Sequence, residues 1–360
     1  MSKVIYLDSK RRRQPPVPAD PPGAPPEIET PSPARPSRPL VTVVMVSYHT
    51  GPVLEDAIAA VLAQDIAIEL ILVDNGNPAP VTAGLVARCA EDPRIKLATG
   101  HGNIGFAAAC NLGAKDAQGD FLLLLNPDCV LDHGALADLI RLIPKTAHPW
   151  VAGCRIVNPD GTDQRGSRRE LPTPWLTLVE ALRLDRLAPN HPYFRRLNQH
   201  DQPIPEAVTQ VPAVSGACML MPVDDYRMLG GMDEGYFLHV EDLDLCFAMT
   251  RMGGSVLFVP QVSLIHYRST SDASIAKVEW FKAKGFTRYF RKNFTGLYPS
   301  LFLTAVNCLV WLYFLMRLSS LARTAVTDRL SRMFRRAKGD QAADPSDVEA
   351  RKRGRKGWAA

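Results

Sequence analysis

The chain has 360 residues, 46% hydrophobic and 22% charged, an ordinary globular composition with enough length for one large domain. Its net charge of +5 sits at the ends: residues 1–40 hold 7 Lys/Arg against 4 Asp/Glu and residues 317–360 hold 12 against 5, which leaves the middle at about −5. An acidic middle excludes the basic face that a nucleic-acid surface would need.

From Gln14 to Pro39 the sequence is dominated by Pro with Ala, Glu and Ser. Such a segment buries too little apolar area to offset its ordering entropy, so residues 1–39 are expected to be disordered. Arg11, Arg12 and Arg13 are followed by prolines where a signal peptide needs an apolar stretch, so nothing here directs secretion. The 7 cysteines include no Cys-x-x-Cys pair and read as reduced cytosolic thiols.

Val41–Ser47 is a β-branched run fit for a strand buried on both faces, and Glu55–Ala63 follows with helical spacing. A second strand at Glu69–Val73 ends in the turn formers Asp74 to Pro78. A helix near 81–90, a strand at 95–98, a helix at 107–116 and the strand Phe121–Leu125 continue the alternation. This predicts an α/β fold, a mostly parallel sheet flanked by helices, with ligands at the carboxyl ends of the strands. Residues 155–212 show no clear pattern, and order returns with Val214–Met221 and a helix over Glu241–Arg251.

The polar clusters fall at those strand ends or at helix starts, and each has more than one chemical meaning. Asp74 can accept a hydrogen bond from a nucleotide base or simply form a turn. Gly100-His-Gly-Asn-Ile-Gly105, with Asp128 roughly 20 residues on, matches the dinucleotide fingerprint, so an NAD oxidoreductase is an alternative. That fingerprint normally occupies the first βα turn, however, and here it would occupy the third. Leu125-Asn-Pro-Asp128 is either a turn or a sheet-edge carboxylate for Mg²⁺ or Mn²⁺, cations that need few protein ligands when they bridge phosphates. Glu241, Asp242 and Asp244 either cap a helix or project a general base into a cleft.

Taken in order, Val46-Ser-Tyr48, Val73-Asp-Asn-Gly76, Asn103-Ile-Gly-Phe106, Asn111, Leu125-Asn-Pro-Asp128, Gly216-Ala-Cys-Met-Leu220, Gly230-Gly-Met-Asp-Glu234, Glu241-Asp-Leu-Asp-Leu245 and His266 resemble the family 2 glycosyltransferases. The likeness spans about Val41 to Lys292 and is greatest to bacterial rhamnosyltransferase-like members. It implies the glycosyltransferase A fold and an inverting transfer from a nucleotide-diphosphate sugar. It also implies that Asp74 recognises the base, that Ser47 and Tyr48 lie beside the nucleotide, and that Asn103 is near the donor. Asp128 resembles the second acid of the Asp-x-Asp metal motif, with His266 completing the site. Asn126 stands where the first aspartate is usual, a variant found in the rhamnosyltransferase-like branch, and joins the donor contacts. Asp242 resembles the catalytic base, and Glu241 the residue that helps place the acceptor. On this reading Asp74→Ala weakens donor binding with little change of fold.

The expected domains are a catalytic domain at 40–295, an apolar membrane-associated helix at 296–321 and a basic disordered tail at 322–360. Leu297–Met316 has no charge and is long enough to span a bilayer. Basic residues flank it on both sides: Lys282, Lys284, Arg288, Arg291 and Lys292 before, Arg317 and Arg323 among those after. A helix lying in the cytoplasmic leaflet satisfies both flanks, with a single span and a buried or dimer helix as alternatives. The partners are therefore a nucleotide-sugar donor, a glycan or polyprenyl-linked acceptor and the cytoplasmic membrane surface, without nucleic acid, and a homo-oligomer is compatible. The likeness points first to L-rhamnose from dTDP-rhamnose, then to galactofuranose or a hexose from UDP. A non-catalytic membrane-associated binding module is a third class of reading.

Overall fold

The computed structural model describes residues 5–7, 39–145, 149–186, 191–194, 202–268 and 274–337. In chain order the strands are β1 (Ile5–Leu7), β2 (Leu40–Ser47), β3 (Ala67–Asp74), β4 (Ile95–Thr99), β5 (Phe121–Leu125), β6 (Cys129–Leu131), β7 (Trp150–Val157), β8 (Arg168–Arg169), β9 (Thr209–Gln210), β10 (Ala213–Val214), β11 (Cys218–Pro222) and β12 (Ser255–His266). The helices are α1 (Val53–Leu62), α2 (Ala79–Glu91), α3 (Phe106–Ala114), α4 (Ala135–Leu142), α5 (Pro174–Ala181), α6 (Val223–Met228), α7 (Glu241–Arg251), α8 (Ile275–Phe294) and α9 (Ser300–Ala337).

Ten strands form one sheet in the order β1-β4-β3-β2-β5-β11-β7-β12-β6, with β9 also on β12. From β4 to β5 it is parallel, as the alternation of strands and helices predicts. Beyond β5 it is mixed, because β11 runs antiparallel to β5 and β7 while β12 runs parallel to β7. Side chains of β2 alternate between two cores, Val41, Val43 and Met45 on one face and Val44 and Val46 on the other. That two-sided burial explains the unbroken apolar run in the sequence. On α1, Leu54, Ala57, Ile58 and Val61 form the matching buried stripe.

Three expectations change. Within the segment read as disordered, Ile5–Leu7 pairs antiparallel with β4, covering what would otherwise be a sheet edge; the rest of residues 1–38 lies outside the described residues. The C-terminal helix begins at Ser300 and continues through Ala337, past the expected boundary at 321, and the tail from 338 lies outside the described residues. The unassigned stretch 155–212 carries β8, α5 and β9, and β8 pairs with β10.

Contacts divide the chain into a unit of residues 1–310 and a unit of residues 311–360. In the first, Leu303 and Val306 of α9 belong to the same core as Tyr289, Phe290 and Phe294 of α8. The helical stretch Ser300–Arg323 is long and apolar enough to cross a membrane, and about a tenth of it is buried.

Candidate active site

Parallel strands bring their carboxyl ends to one edge, and four sequence-predicted residues stand there. Ser47 ends β2 directly opposite Asp74, which ends β3. Asp74 is buried, and both its oxygens are engaged. Oδ1 accepts from the Gly76 and Asn77 amides and from Asn77 Nδ2, while Oδ2 accepts from the Thr82 and Thr99 hydroxyls at 2.6 and 3.0 Å. Burial alone would raise its pKa, but these donors outweigh it and hold the carboxyl below the usual range. Ser47 is equally buried, its carbonyl and hydroxyl both accepting from Asn77 Nδ2 at 3.1 Å. Tyr48 is half-buried, its ring packed edge-on against His49. Asn103 lies on the exposed loop before α3, where its Oδ1 accepts from Asn75 Nδ2 and the Gly105 amide.

Asp74 thus anchors the turn at the carboxyl end of β3. Contrary to the expectation of little change in fold, Asp74→Ala should lower stability by about 1.5–3 kcal/mol as well as weakening donor binding, because buried donors lose a charged acceptor. Thermal unfolding checks the first effect and calorimetric donor titration the second.

Gly105, with φ of 90°, lets the loop approach closely: a Cβ there would meet the Phe237 carbonyl at 2.7 Å. The Phe106 amide donates to that same carbonyl at 2.7 Å. Asn111 of α3 continues the join, donating to the Met232 carbonyl and the Glu234 carboxylate. The glycine-rich loop is therefore the third βα turn of the sheet and a seat for the 230–240 segment.

At the end of β5, the Asn126 amide donates to the Ala217 carbonyl. Asp128 lies nearby, buried, with Oδ1 3.1 Å from His266 Nε2. Gln164, which the sequence did not single out, fixes that imidazole. Its amide nitrogen donates to Asn158 Oδ1 and to the His266 carbonyl, so Oε1 is left facing His266 Nδ1 at 2.7 Å. Nδ1 therefore donates to Gln164, and Nε2 faces Asp128 with Asn126 Nδ2 at 3.5 Å. With both protons on the ring the contact is an ion pair, and with one it offers an Nε2 lone pair beside a carboxylate, a donor set for a cation. Adjacent ligands about 2.1 Å from an octahedral Mg²⁺ would themselves lie about 3 Å apart, so the pair fits a divalent cation. Cys129 is the third member of this group. Its thiol faces the Ala217 carbonyl, and burial pushes its pKa up, so it packs as an apolar residue.

The acids at the start of α7 separate into different tasks. Asp242 Oδ2 accepts from the Gly216 amide at 2.9 Å and from Arg169, and Oδ1 accepts from the Leu243 amide at 2.8 Å. Gly216 is required by contact, since a Cβ would lie 2.9 Å from that of Asp242. Glu241 beside it is buried, and its Oε2 has no partner among the described residues. Burial first, and the neighbouring Asp242 charge second, push the Glu241 pKa up. Backbone strain sets the pair: His239 and Val240 have φ of 68° and 77° in the two positions before Glu241. For a β-branched residue that conformation is an outlier, worth about 1–3 kcal/mol of stored strain.

Asp244 is structural. It accepts from Tyr236, Lys292 and Asn293, while Asp233 accepts from Arg288 and Lys292. Burial would raise the Asp233 pKa, but Arg288 and Lys292 bring it down to about 2. Arg288 and Lys292, read from sequence as part of the basic flank, are ion-paired in this clamp on α8 and, like Lys282, Lys284 and Arg291, remain exposed.

The sequence model of glycosyl transferase family 2 matches residues 42–211. The chain carries a glycosyltransferase family 2 domain over that stretch. It is 28% identical over 244 residues to the N-acetylglucosaminyl-diphospho-decaprenol L-rhamnosyltransferase of Mycobacterium tuberculosis, covering 64% of this chain and 77% of that one. To the rhamnosyltransferase WbbL of Escherichia coli it is 25% identical over 198 residues, covering 55% and 69%. The mannosyltransferase PcManGT from Pyrobaculum calidifontis, solved with GDP-Man and Mn²⁺, superposes with a TM-score of 0.50 at 14% identity, covering 88% of this chain and 80% of that one, a likeness of fold. The oxidoreductase and non-catalytic readings fall with this family assignment: the protein is a glycosyltransferase of the A fold. Ser47, Asp74, Asn126, Asp128 and both unforeseen residues, Gln164 and Arg169, lie within the matched segment, while Asp242 and His266 lie beyond it.

Proposed function

We propose that this glycosyltransferase is an inverting rhamnosyltransferase, moving L-rhamnose from dTDP-L-rhamnose to a lipid-linked or growing glycan acceptor in cell-envelope polysaccharide synthesis. One observation carries the site assignment: consecutive residues hold the two halves of the chemistry, Gly216 donating to Asp242 and Ala217 accepting from Asn126. The rhamnosyl reading is supported by the activities of the two bacterial relatives.

In this reading Ser47, Tyr48, Asp74 and Asn103 shape the nucleotide pocket, and Asn126 contacts the donor. Asp128 and His266 would hold Mg²⁺ or Mn²⁺, which supplies charge neutralisation on the departing diphosphate. Asp242 removes the acceptor hydroxyl proton as that oxygen bonds to the anomeric carbon. The bond from that carbon to the diphosphate breaks, and its electron pair leaves with the nucleotide. Glu241, neutral beside Asp242, donates a hydrogen bond to place the acceptor.

A donor that binds the folded state raises its melting temperature, so dTDP-L-rhamnose with Mn²⁺ should stabilise the enzyme more than UDP- or GDP-sugars do. A larger shift with a UDP-hexose or UDP-galactofuranose would replace the rhamnosyl reading.

The enzyme works at the cytoplasmic face of the membrane. Supporting this are the exposed Leu297, Leu301, Leu312, Leu315 and Met316 and the basic flank. Full-length protein should float with anionic vesicles and be released when truncated after Asn293. Flotation unchanged by that truncation would contradict it.

A further inference from the structure

Arg169 comes from the stretch of sequence with least pattern, yet it reaches the centre of the proposed site. Strand β8 pairs with β10, with Arg169 opposite Ala213, and this carries its side chain onto Asp242 73 residues away. Both groups are mostly buried, the Asp242 side chain being 13% exposed and that of Arg169 26%. The ion pair engages Oδ2, which also takes the Gly216 amide. Among the described residues Oδ1 takes only the Leu243 amide, which leaves it accepting capacity for an acceptor hydroxyl.

Two adjacent carboxyl groups in a buried pocket resist double ionisation, so whichever carries the charge is the base. The titratable groups coupled to them are Cys110 of α3 with Glu241, and His239 of the preceding turn, Tyr289 of α8 and Cys246 of α7 with Asp242. Among the described residues Arg169 is the charged side chain that bonds a carboxylate of the pair directly. Its Nε has no partner among the described residues, so Asp242 is its anchoring contact.

We propose that Arg169 is a positioning residue for the transfer: its ion pair with Oδ2 orients the Asp242 carboxylate beside Glu241, so that Oδ1 of Asp242 is presented to the acceptor hydroxyl and takes its proton. This rests on Asp242 being the base. The proton moves from the acceptor hydroxyl to Oδ1 while Oδ2 stays on Arg169 and Gly216. Glu241 retains its proton throughout, and the electron pair of the broken glycosyl bond departs with the diphosphate.

The test is the split between kcat and KM for full-length enzyme, with dTDP-L-rhamnose, or the UDP-sugar that is turned over, and a synthetic N-acetylglucosaminyl diphosphate lipid. Misorienting the base should lower kcat about 10- to 100-fold in Arg169→Met while the donor KM changes little. Arg169→Lys, which keeps a charged donor for Oδ2, should recover most of kcat. Should the Met variant fail to fold, Arg169→Gln against Arg169→Lys gives the same contrast. A parental kcat in the folded neutral variants overturns the proposal. Failure of the base assignment is separate: Asp242→Asn would then keep its activity whatever Arg169 does.

Discussion

Asp242→Asn is expected to leave donor and metal binding intact while kcat falls about 10²- to 10⁴-fold, the usual contribution of a general base. Asparagine keeps the shape and can still accept from the Gly216 and Leu243 amides, but it takes no proton at neutral pH. The substitution also removes a negative charge from Arg169, so a melting-temperature measurement must accompany the kinetics. Glu241→Gln should cost less, and chiefly in acceptor affinity, because burial favours the uncharged form of Glu241, which glutamine mimics. If both acids merely capped α7, the loss would be about 1 kcal/mol of stability with turnover near normal. More than about a tenth of parental kcat in a folded Asp242→Asn enzyme would remove it as the base.

Asp128→Ala should reduce metal-supported turnover by about 10²- to 10³-fold, the scale of losing one group that stabilises a developing oxyanion. His266→Ala should fall in the same range, since the two atoms face each other at 3.1 Å. Gln164→Ala gives a graded intermediate. It removes the acceptor that fixes the His266 tautomer and should weaken Mn²⁺ binding about 10- to 100-fold, read by titration of free Mn²⁺ as well as by rate. Full activity of all three variants in excess EDTA would contradict the metal site.

The parallel half of the sheet was legible because its signals are local. Strands buried on both faces appear as continuous apolar runs, and the polar residues that end or follow them, Ser47, Asp74 and Asn126, mark the carboxyl edge of the sheet without any knowledge of the fold. Asp242 and His266 were recognisable from the order of motifs. What escaped depends on distant pairing. Gln164 meets His266 across 102 residues and Arg169 meets Asp242 across 73, both from a stretch whose strands are two residues long and leave no periodic trace. Nor could spacing tell the acids of α7 apart. Asp244 becomes a clamp only because Lys292 and Asn293 approach from α8, and the same approach gives Arg288 and Lys292 of the basic flank carboxylate partners.

The most direct measurement is the anomeric configuration of the transferred sugar, read by nuclear magnetic resonance on product made by the purified full-length enzyme from dTDP-L-rhamnose. A single displacement assisted by Asp242 predicts a linkage of configuration opposite to the donor, formed only with divalent metal present and abolished by Asp242→Asn. A product that keeps the donor configuration, or transfer that persists in the Asp242→Asn enzyme, would contradict the account.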